Sequence, residues 1–317
     1  MMEGIKMNKK LFVSPAPQIT SRYTTLIMML AMVFALVPAS VFGVVNYGIR
    51  VLYHILIGVA VSFVCDRALC FFKDKKIDWL DISSVVTGFM VAILLPVSAP
   101  LWTSALGSVI AIFIFKFCFG GLGKNIFNPA ASARVILAAM FTGLNLSLFT
   151  GTAIGANVAS PLYYFANSDY SFITIRSLFF GSVPGAIGTS AIICILICGI
   201  LLMAYRITDF TIPIGGVLTF IAVTWIGKGA IAILPFLFSG SFLFALMFMV
   251  TDPVTSPNTV WGKLVYGLLF GIFAGLFRVT NIFGETSVFV AVLMVNLCAP
   301  LLDKIFQPRP LGLKEVK

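Results

Sequence analysis

The stretch TTLIMMLAMVFALVPASVFGVV, residues 24–45, decides the fold class. It carries no charged residue and exceeds the roughly 20 residues that a helix needs to cross a ~30 Å hydrocarbon layer. Of the chain's 317 residues, 60% are apolar and 10% are charged, whereas soluble domains have about 25% charged residues. We therefore predict an all-α polytopic membrane protein with about ten transmembrane helices. The nine further segments are 51–70, 82–95, 101–119, 130–149, 189–206, 210–227, 230–250, 264–280 and 287–303.

Two apolar stretches are interrupted. Segment 82–95 is short and runs into Pro96 and Pro100, and stretch 172–188 is cut by Pro184 and several glycines. Irregular backbone at membrane depth is tolerated only where protein buries it. We predict broken or re-entrant segments at both places.

The basic residues predict the orientation, because they collect on the cytoplasmic side. With the N-terminus inside, 17 of the 21 Lys and Arg residues, including Arg134, fall on the inner side. The outer four are Arg50, Arg176, Lys228 and Arg278. We predict a protein of the plasma or inner membrane with both termini on the cytoplasmic side. The net charge of +10 is explained by basic residues that face anionic lipid head groups, so it does not require a nucleic-acid partner.

This topology divides the chain into three parts. Residues 1–23 form a cytoplasmic N-terminal segment, residues 24–303 the transmembrane domain, and residues 304–317 a cytoplasmic tail. The longest predicted outer loop covers residues 150–180, and loops of this size tend to carry function.

The loop GGLGKNIFNP, residues 120–129, joins the fourth and fifth segments on the predicted inner side. Its glycines, Gly123 among them, free the backbone, and Asn128 with Pro129 opens a turn into the next helix. Such a loop can hold an anion or a cofactor on backbone N–H groups. A tight connection between packed helices is the alternative.

The turn TDPVTSP, residues 251–257, follows the eighth segment, also on the predicted inner side. Asp252, Thr255 and their neighbours make it rich in oxygen atoms, which hard cations such as Na⁺ prefer. The alternative is a helix cap by Asp252.

The stretch GSVPGAIGTS, residues 181–190, enters the sixth segment from the outside, and GETS, residues 284–287, enters the tenth from the same side. This echo, with others, suggests a distant repeat of segments 3–6 in segments 7–10. Paired broken helices in two halves point to a buried site, which makes Gly188 and Thr189 candidate site residues.

The remaining chemistry-bearing residues predict no metal centre. The six cysteines lie in or at the edge of apolar runs, and Cys194 and Cys198 lack a nearby second pair or histidine. Buried apolar roles are the expectation for them. The single histidine, His54, is expected to be an interior side chain, with a proton relay as the alternative.

Together, these segments resemble the D subunit of the Rnf membrane complex, which is close kin to the B subunit of the Na⁺-pumping NADH:quinone reductase. The resemblance runs nearly end to end and is sharpest in 120–130 and 251–257. It implies a subunit of a redox-driven ion pump, in which electrons pass between ferredoxin and NAD⁺ through flavins and iron–sulfur centres. It also implies partner Rnf-type subunits, FMN esterified to an outer threonine, and a riboflavin near the membrane domain.

The family's flavin-attachment motif reads roughly Asp-x-x-Ser/Thr-x-Ala-Thr-Pro-Leu, and residues 154–162 of this chain, IGANVASPL, match it in part. Ser160 stands at the acceptor position, which makes it the candidate for covalent FMN. Ile154 replaces the acid and Asn157 the hydroxyl residue. In 188–190 the glutamate of the family's Gly-Glu-Thr-Ser is absent.

We therefore expect a membrane subunit that passes electrons through flavin in a complex coupling ferredoxin and NAD⁺ chemistry to Na⁺ or H⁺ translocation. It lacks a nucleotide-binding fold and a catalytic triad, so it is not expected to be an enzyme alone. The alternatives are a scaffold subunit without its own cofactor and a urea-channel-like transporter without redox activity.

Overall fold

The computed structural model of the chain describes residues 24–72, 79, 81–96, 98–121, 123–143, 161–166, 168–170, 174–181, 183 and 185–307, and the contacts given below are those among these residues. Its regular structure is helical. The one extended pairing in this part of the chain joins Pro96 and Ala186. The predicted all-α class is confirmed.

Helices occupy all ten predicted segments, and two short helices precede the sixth. They are α1 (Thr25–Tyr47), α2 (Arg50–Phe72), α3 (Ser83–Ile93), α4 (Trp102–Phe117), α5 (Pro129–Gly143), α6 (Pro161–Ala166), α7 (Ile175–Phe179), α8 (Ile192–Ala204), α9 (Thr211–Lys228), α10 (Ala230–Phe238), α11 (Phe242–Met249), α12 (Val260–Val279) and α13 (Ser287–Ile305).

These helices differ in reach. Among the described residues, five are long and apolar enough to cross a membrane: α1, α2, α9, α12 and α13 with its preceding turn. The pair α10 and α11 counts as a sixth span, bent by 66°. The helices α3, α4, α5 and α8 are shorter and apolar. Many large apolar side chains on the long helices are exposed, such as Phe34, Val45 and Ile226, as a protein solvated by lipid requires.

The break after α3 shows how buried backbone groups are satisfied without water. Ile93, Leu94 and Leu95 have no exposed surface. The carbonyl of Ile93 accepts from Gly188 N at 2.8 Å, and that of Leu95 accepts from Ile187 N at 3.1 Å. The carbonyl of Leu94 accepts from Arg134 Nε at 3.1 Å.

These three buried carbonyls therefore each have a donor, as membrane depth demands. The predicted re-entrant stretch 172–188 supplies two of the three donors, from the chain entering α8. These bonds explain how the backbone can be irregular after α3 while its carbonyl groups stay satisfied; re-entry into the membrane stays a prediction.

At the bend between α10 and α11, a backbone carbonyl group likewise accepts a hydrogen bond from an arginine side chain. Arg278 donates from Nη1 to the carbonyl of Phe236, just before the bend. Gly240 has φ +56°, and a Cβ there would lie 2.8 Å from Arg278 Nη2. The glycine thus provides both the left-handed turn and the space for the guanidinium group.

Two helices end in π-helical turns directly before the two inner loops. The π-helical stretch Ile110–Phe117 ends α4 before the loop 120–129, and Ala245–Met249 ends α11 before the turn 251–257. π-Helical turns occur frequently at functional sites. The shared feature agrees with the predicted repeat, which stays a prediction.

Helix α1 contacts two cavities, one near its start and one at its end. Near its start, Met28 and Met32 line one cavity. At its end, Tyr47 Oη donates to Val183 O at 3.0 Å and lies 2.9 Å from Ser190 Oγ, and both of these residues line a second cavity. From Met32 to Tyr47 the helix rises roughly 22 Å at about 1.5 Å per residue.

Candidate functional site

The loop 120–129 and the turn 251–257 meet around one cavity, here called the Asn128 cavity. Its empty space amounts to about 700 Å³, a figure that includes open solvent at its mouth. Helices α1, α3 and α4, the two loops and the turn before α9 contribute to it. Its lining residues are Met28, Met29, Met32, Ser83, Val86, Thr87, Met90, Lys116, Asn125, Asn128, Pro129, Ala130, Ile207, Thr208, Asp252, Pro253 and Val254.

Asn128 fastens the loop to the bundle. Its Oδ1 accepts from Ala130 N at 3.1 Å and Ala131 N at 3.2 Å, so it caps α5, with Pro129 at the first helical position. Its Nδ2 donates to Met249 O at 3.5 Å, at the end of α11. One side chain thus ties the loop 120–129 to the helix that leads into the turn 251–257.

A buried ion cluster forms one wall. Lys116 is 4% exposed, and its Nζ lies 2.8 Å from Asp66 Oδ1 and donates to Ser83 Oγ at 2.8 Å. Asp81 Oδ2 lies 3.8 Å from the same Nζ, and Arg67 donates to the carbonyl of Asp81. Burial raises the pKa of Asp81, but Lys116 and the hydrogen bonds from Ser83 outweigh burial and hold that pKa below its usual value.

Two further polar groups face the cavity from other elements. Asp252 follows α11, and burial raises its pKa to about 6, although its Oδ1 accepts a hydrogen bond from Val254 N at 3.2 Å. Thr208 is 6% exposed, and its Oγ1 has no hydrogen-bond partner among the described residues. The cavity therefore carries a cation, a carboxyl group and an unsatisfied hydroxyl on separate walls.

The second cavity, here called the Glu285 cavity, lies where the chain entering α8 meets the start of α6 and the turn before α13. Its empty space amounts to about 300 Å³, including open solvent at its mouth. Thr189, Ser190 and Glu285 are its polar lining, and Pro161, the residue after Ser160, is part of its wall. The other lining residues are Leu178, Val183, Gly185, Phe238 and Gly240.

Two arginines are buried inside the bundle. Arg134 is 5% exposed and stands 5.5 Å from the ring centre of Phe289. Arg278 is 2% exposed and stands 5.7 Å from the ring centres of Phe220 and Phe242. The prediction of orientation treated both as flanking charges. The structure corrects this: each donates to a carbonyl at a helix break inside the bundle.

Comparison with known proteins decides the family. The model of the NQR2, RnfD, RnfE family matches residues 12–312. The chain belongs to this family.

Two of the similar proteins match over nearly the whole chain, and a third matches over about two thirds of it. The chain is 30% identical to the D subunit of the proton-translocating ferredoxin:NAD(+) oxidoreductase complex of Clostridium ljungdahlii, over 98% of this chain and 99% of that protein. It is 31% identical to the D subunit of the Na(+)-translocating ferredoxin:NAD(+) oxidoreductase complex of Acetobacterium woodii, over 97% of each. The B subunit of the Na(+)-translocating NADH-quinone reductase of Stutzerimonas stutzeri is 35% identical over 69% of this chain and 58% of its own length.

The predicted site residues of this family member fall into separate places. Asn128 and Asp252 meet in the Asn128 cavity, whereas Thr189 lies in the Glu285 cavity. Gly188 packs against α3, where a Cβ would lie 2.8 Å from Ile93 Cβ.

The other predicted residues do not line either cavity. Thr255 is buried behind the Asn128 cavity, where its carbonyl accepts from Tyr266 Oη at 3.4 Å. Gly123 has φ +84° and open space around it, so it shapes the loop rather than the wall. Ser160 lies outside the described residues.

The sequence reasoning missed most of the cavity wall. Lys116 and Asp66 were available signals, since charges inside apolar helices are costly and mark sites by default. Ser83, Thr87 and Thr208 carried no such signal, because isolated hydroxyl residues are ordinary in helices and turns. Among the described residues, no group of three or more His, Cys, Asp or Glu side chains could hold a metal ion.

Proposed function

We propose that this chain is the D-type membrane subunit of an ion-translocating ferredoxin:NAD⁺ oxidoreductase complex, and that it carries electrons on flavin held at two sites. Full-length similarity to relatives of that name supports the first part. The position of the two cavities at opposite ends of α1 supports the second. Other membrane and peripheral redox subunits are its partners.

The Asn128 cavity suits a flat, polar-edged ring system such as riboflavin. Four methionines and Val86 supply the apolar walls, and thioether sulfur makes favourable contacts with aromatic rings. Asn125, Thr87 and the partnerless Thr208 hydroxyl offer donors and acceptors for the edge of the ring. An orphaned buried hydroxyl is costly, and a bound ring with carbonyl groups would satisfy it.

The flavin supplies the electron-transfer chemistry when bound, and the protein holds and tunes it. Asn128 fixes the loop that closes the cavity against α11. Asp252 and Lys116 place opposite charges on different walls. These groups orient the ring and set the local field.

Covalent FMN on Ser160 is the second proposed site. Pro161, the residue that follows Ser160 in the chain, lies in the wall of the Glu285 cavity. Thr189 and Ser190 offer hydroxyl groups there. With the predicted orientation, this site faces the outside and the Asn128 cavity faces the cytoplasm.

The first experiment tests covalent attachment. The chain is produced together with its flavin transferase, run on a denaturing gel and examined under ultraviolet light. We expect a fluorescent band that Ser160→Ala abolishes and Thr152→Ala, in the same predicted loop, retains. A dark wild-type band from a functional complex would overturn this site.

The second experiment tests the role in the complex. Inverted membrane vesicles from cells lacking the gene are complemented with wild-type chain, and ferredoxin-driven NAD⁺ reduction is followed together with cation uptake. We expect both to return with the wild type. Solute flux through the purified chain alone, without restored redox activity, would favour the transporter. Full activity of a chain free of any flavin would favour the scaffold.

A further inference from the structure

We propose that Lys116 binds the flavin in the Asn128 cavity directly and that its charge favours the reduced, anionic form of that flavin. This inference rests on the proposed flavin site and names the residue that tunes it. It follows from the ammonium group's position, its hydrogen bonds and the charges around it.

The position of Lys116 is fixed by two contacts. Its ammonium group has three N–H donors. Asp66 Oδ1 and Ser83 Oγ, each at 2.8 Å, occupy two of them. Asp81 Oδ2 at 3.8 Å is beyond hydrogen-bond length. Within the described part of the chain, the third N–H is left for a group in the cavity that Lys116 lines.

Ser83 holds the ammonium group at the wall of the cavity. Its Oγ accepts from Lys116, and its hydroxyl group also hydrogen-bonds to the carboxylate of Asp81. Ser83 lines the cavity as well. The remaining N–H of Lys116 is therefore the donor that this wall offers to a carbonyl oxygen or ring nitrogen of a flavin.

The charges are arranged with the cation nearest the ligand. Lys116 lines the cavity, whereas Asp66 and Asp81, which balance it, do not. Asp252 is the one carboxylate among the lining residues and comes from a different element, the turn after α11. A ligand that gains negative charge on reduction therefore gains most from Lys116, and the balancing acids lie behind it.

A purely structural ion pair between α2 and α4 is the competing explanation. It predicts that loss of either charge destabilises the fold, since an unpaired buried charge is costly. It predicts no systematic change in the flavin's redox potential. The sign of the potential shift in paired variants separates the two explanations.

The experiment is a redox titration of the full chain, purified in mild detergent with Ser160→Ala to exclude covalent flavin. Dithionite supplies the electrons, and flavin absorbance reports the oxidised fraction. Asp66→Asn removes the nearer of the two carboxylates that balance Lys116. The double variant Lys116→Met with Asp66→Asn removes the cation together with that carboxylate. The matched control replaces the pair of Lys263 and Asp209, which are also in contact, by Met and Asn.

We expect opposite shifts. Asp66→Asn should favour reduced over oxidised flavin by about tenfold, a shift of about +30 mV for a two-electron couple. The double variant should shift the ratio about tenfold the other way, and the control pair by less than about twofold.

Each outcome decides the case. Shifts of the same sign, or below about twofold, in protein that retains flavin would overturn the role of Lys116 and leave the flavin site standing. Absence of any flavin from folded Ser160→Ala protein would overturn the flavin site itself. If the double variant does not fold, the sign of the Asp66→Asn shift decides, because Lys116 keeps its bond to Ser83.

Discussion

Replacement of Asn128 by Ala is expected to weaken the fold and the Asn128 cavity together. The substitution removes the acceptor of two backbone N–H groups, those of Ala130 and Ala131, at 3.1 and 3.2 Å. It also removes the contact from Nδ2 to Met249 O at 3.5 Å, which joins the two loops.

The magnitude follows from these contacts. Loss of a helix N-cap costs about 0.5–2 kcal/mol, and the upper half applies because Asn128 is 3% exposed and water has poor access to the orphaned donors. The long bond to Met249 adds about 0.5–1 kcal/mol. We expect a total loss of about 1.5–3 kcal/mol in the free energy of unfolding.

The assay is a denaturant titration of purified chain in mild detergent, followed by helical circular dichroism. Asn128→Ser keeps an acceptor and should recover most of the loss. Thr259 caps α12 through Gly262 N at 3.1 Å and does not line the cavity. Thr259→Ala should therefore lower stability by about 0.5–1 kcal/mol and leave non-covalent flavin bound, whereas Asn128→Ala should release it.

Two results would refute this role of Asn128: an Asn128→Ala chain as stable as wild type, or equal flavin loss in Thr259→Ala and Asn128→Ala. The first result would mean that α5 needs no side-chain cap. The second would mean that flavin retention depends on the overall stability of the protein rather than on the position of the loop 120–129.

Three other predictions concern single residues. Because burial raises the pKa of Asp252 to about 6, its contribution to stability is full below about pH 4 and lost as the pH rises through 6. Wild type should therefore lose about 1–1.5 kcal/mol of unfolding free energy between pH 5 and 8, and an equal loss in Asp252→Asn would contradict this. Gly188→Ala should cost about 1–3 kcal/mol, since its Cβ would lie 2.8 Å from the Cβ of Ile93, whereas Gly185→Ala, with 3.7 Å to its nearest neighbour, should be tolerated in the same denaturant titration. Arg278→Met should lower the thermal midpoint in detergent, by about 2–4 kcal/mol of stability, because the carbonyl at the α10–α11 bend loses its donor; an unchanged midpoint would show that the bend needs none.

Hydropathy was sufficient for the helices but not for their ends. Each of the ten apolar segments contains a helix within its described residues, because a helix satisfies the backbone of a continuous apolar run in lipid. The hydrogen-bond donors for the carbonyl groups at the end of α3 could not be predicted from the sequence. Gly188 and Arg134 donate to carbonyls at the end of α3 from distant parts of the chain, and no local pattern encodes such pairings.

The count of basic residues that predicted the orientation did not separate buried from exposed charges. It treated Arg134 and Arg278 as flanking residues, although both are buried. An arginine in an apolar segment can be a charge at the membrane surface or a hydrogen-bond donor inside the bundle. Only the tertiary structure shows whether a carbonyl group without a donor lies next to its guanidinium group. The two loops were recognisable from their glycine, proline and asparagine content, but their convergence on one cavity depends on long-range contacts such as that of Asn128 with Met249 O.

The layout of the two cavities constrains how this protein would work in a complex. They share α1, whose rise of roughly 22 Å from Met32 to Tyr47 is most of a ~30 Å hydrocarbon layer. They also share α3, since Met90 lines the Asn128 cavity and Ile93, about one helical turn away, holds Gly188 beside the Glu285 cavity. A flavin in each cavity would therefore be separated by the broken, fully buried end of α3 rather than by lipid. Disturbing the contact between Gly188 and Ile93 should accordingly affect both cavities, a consequence that two sites on independent elements would not have.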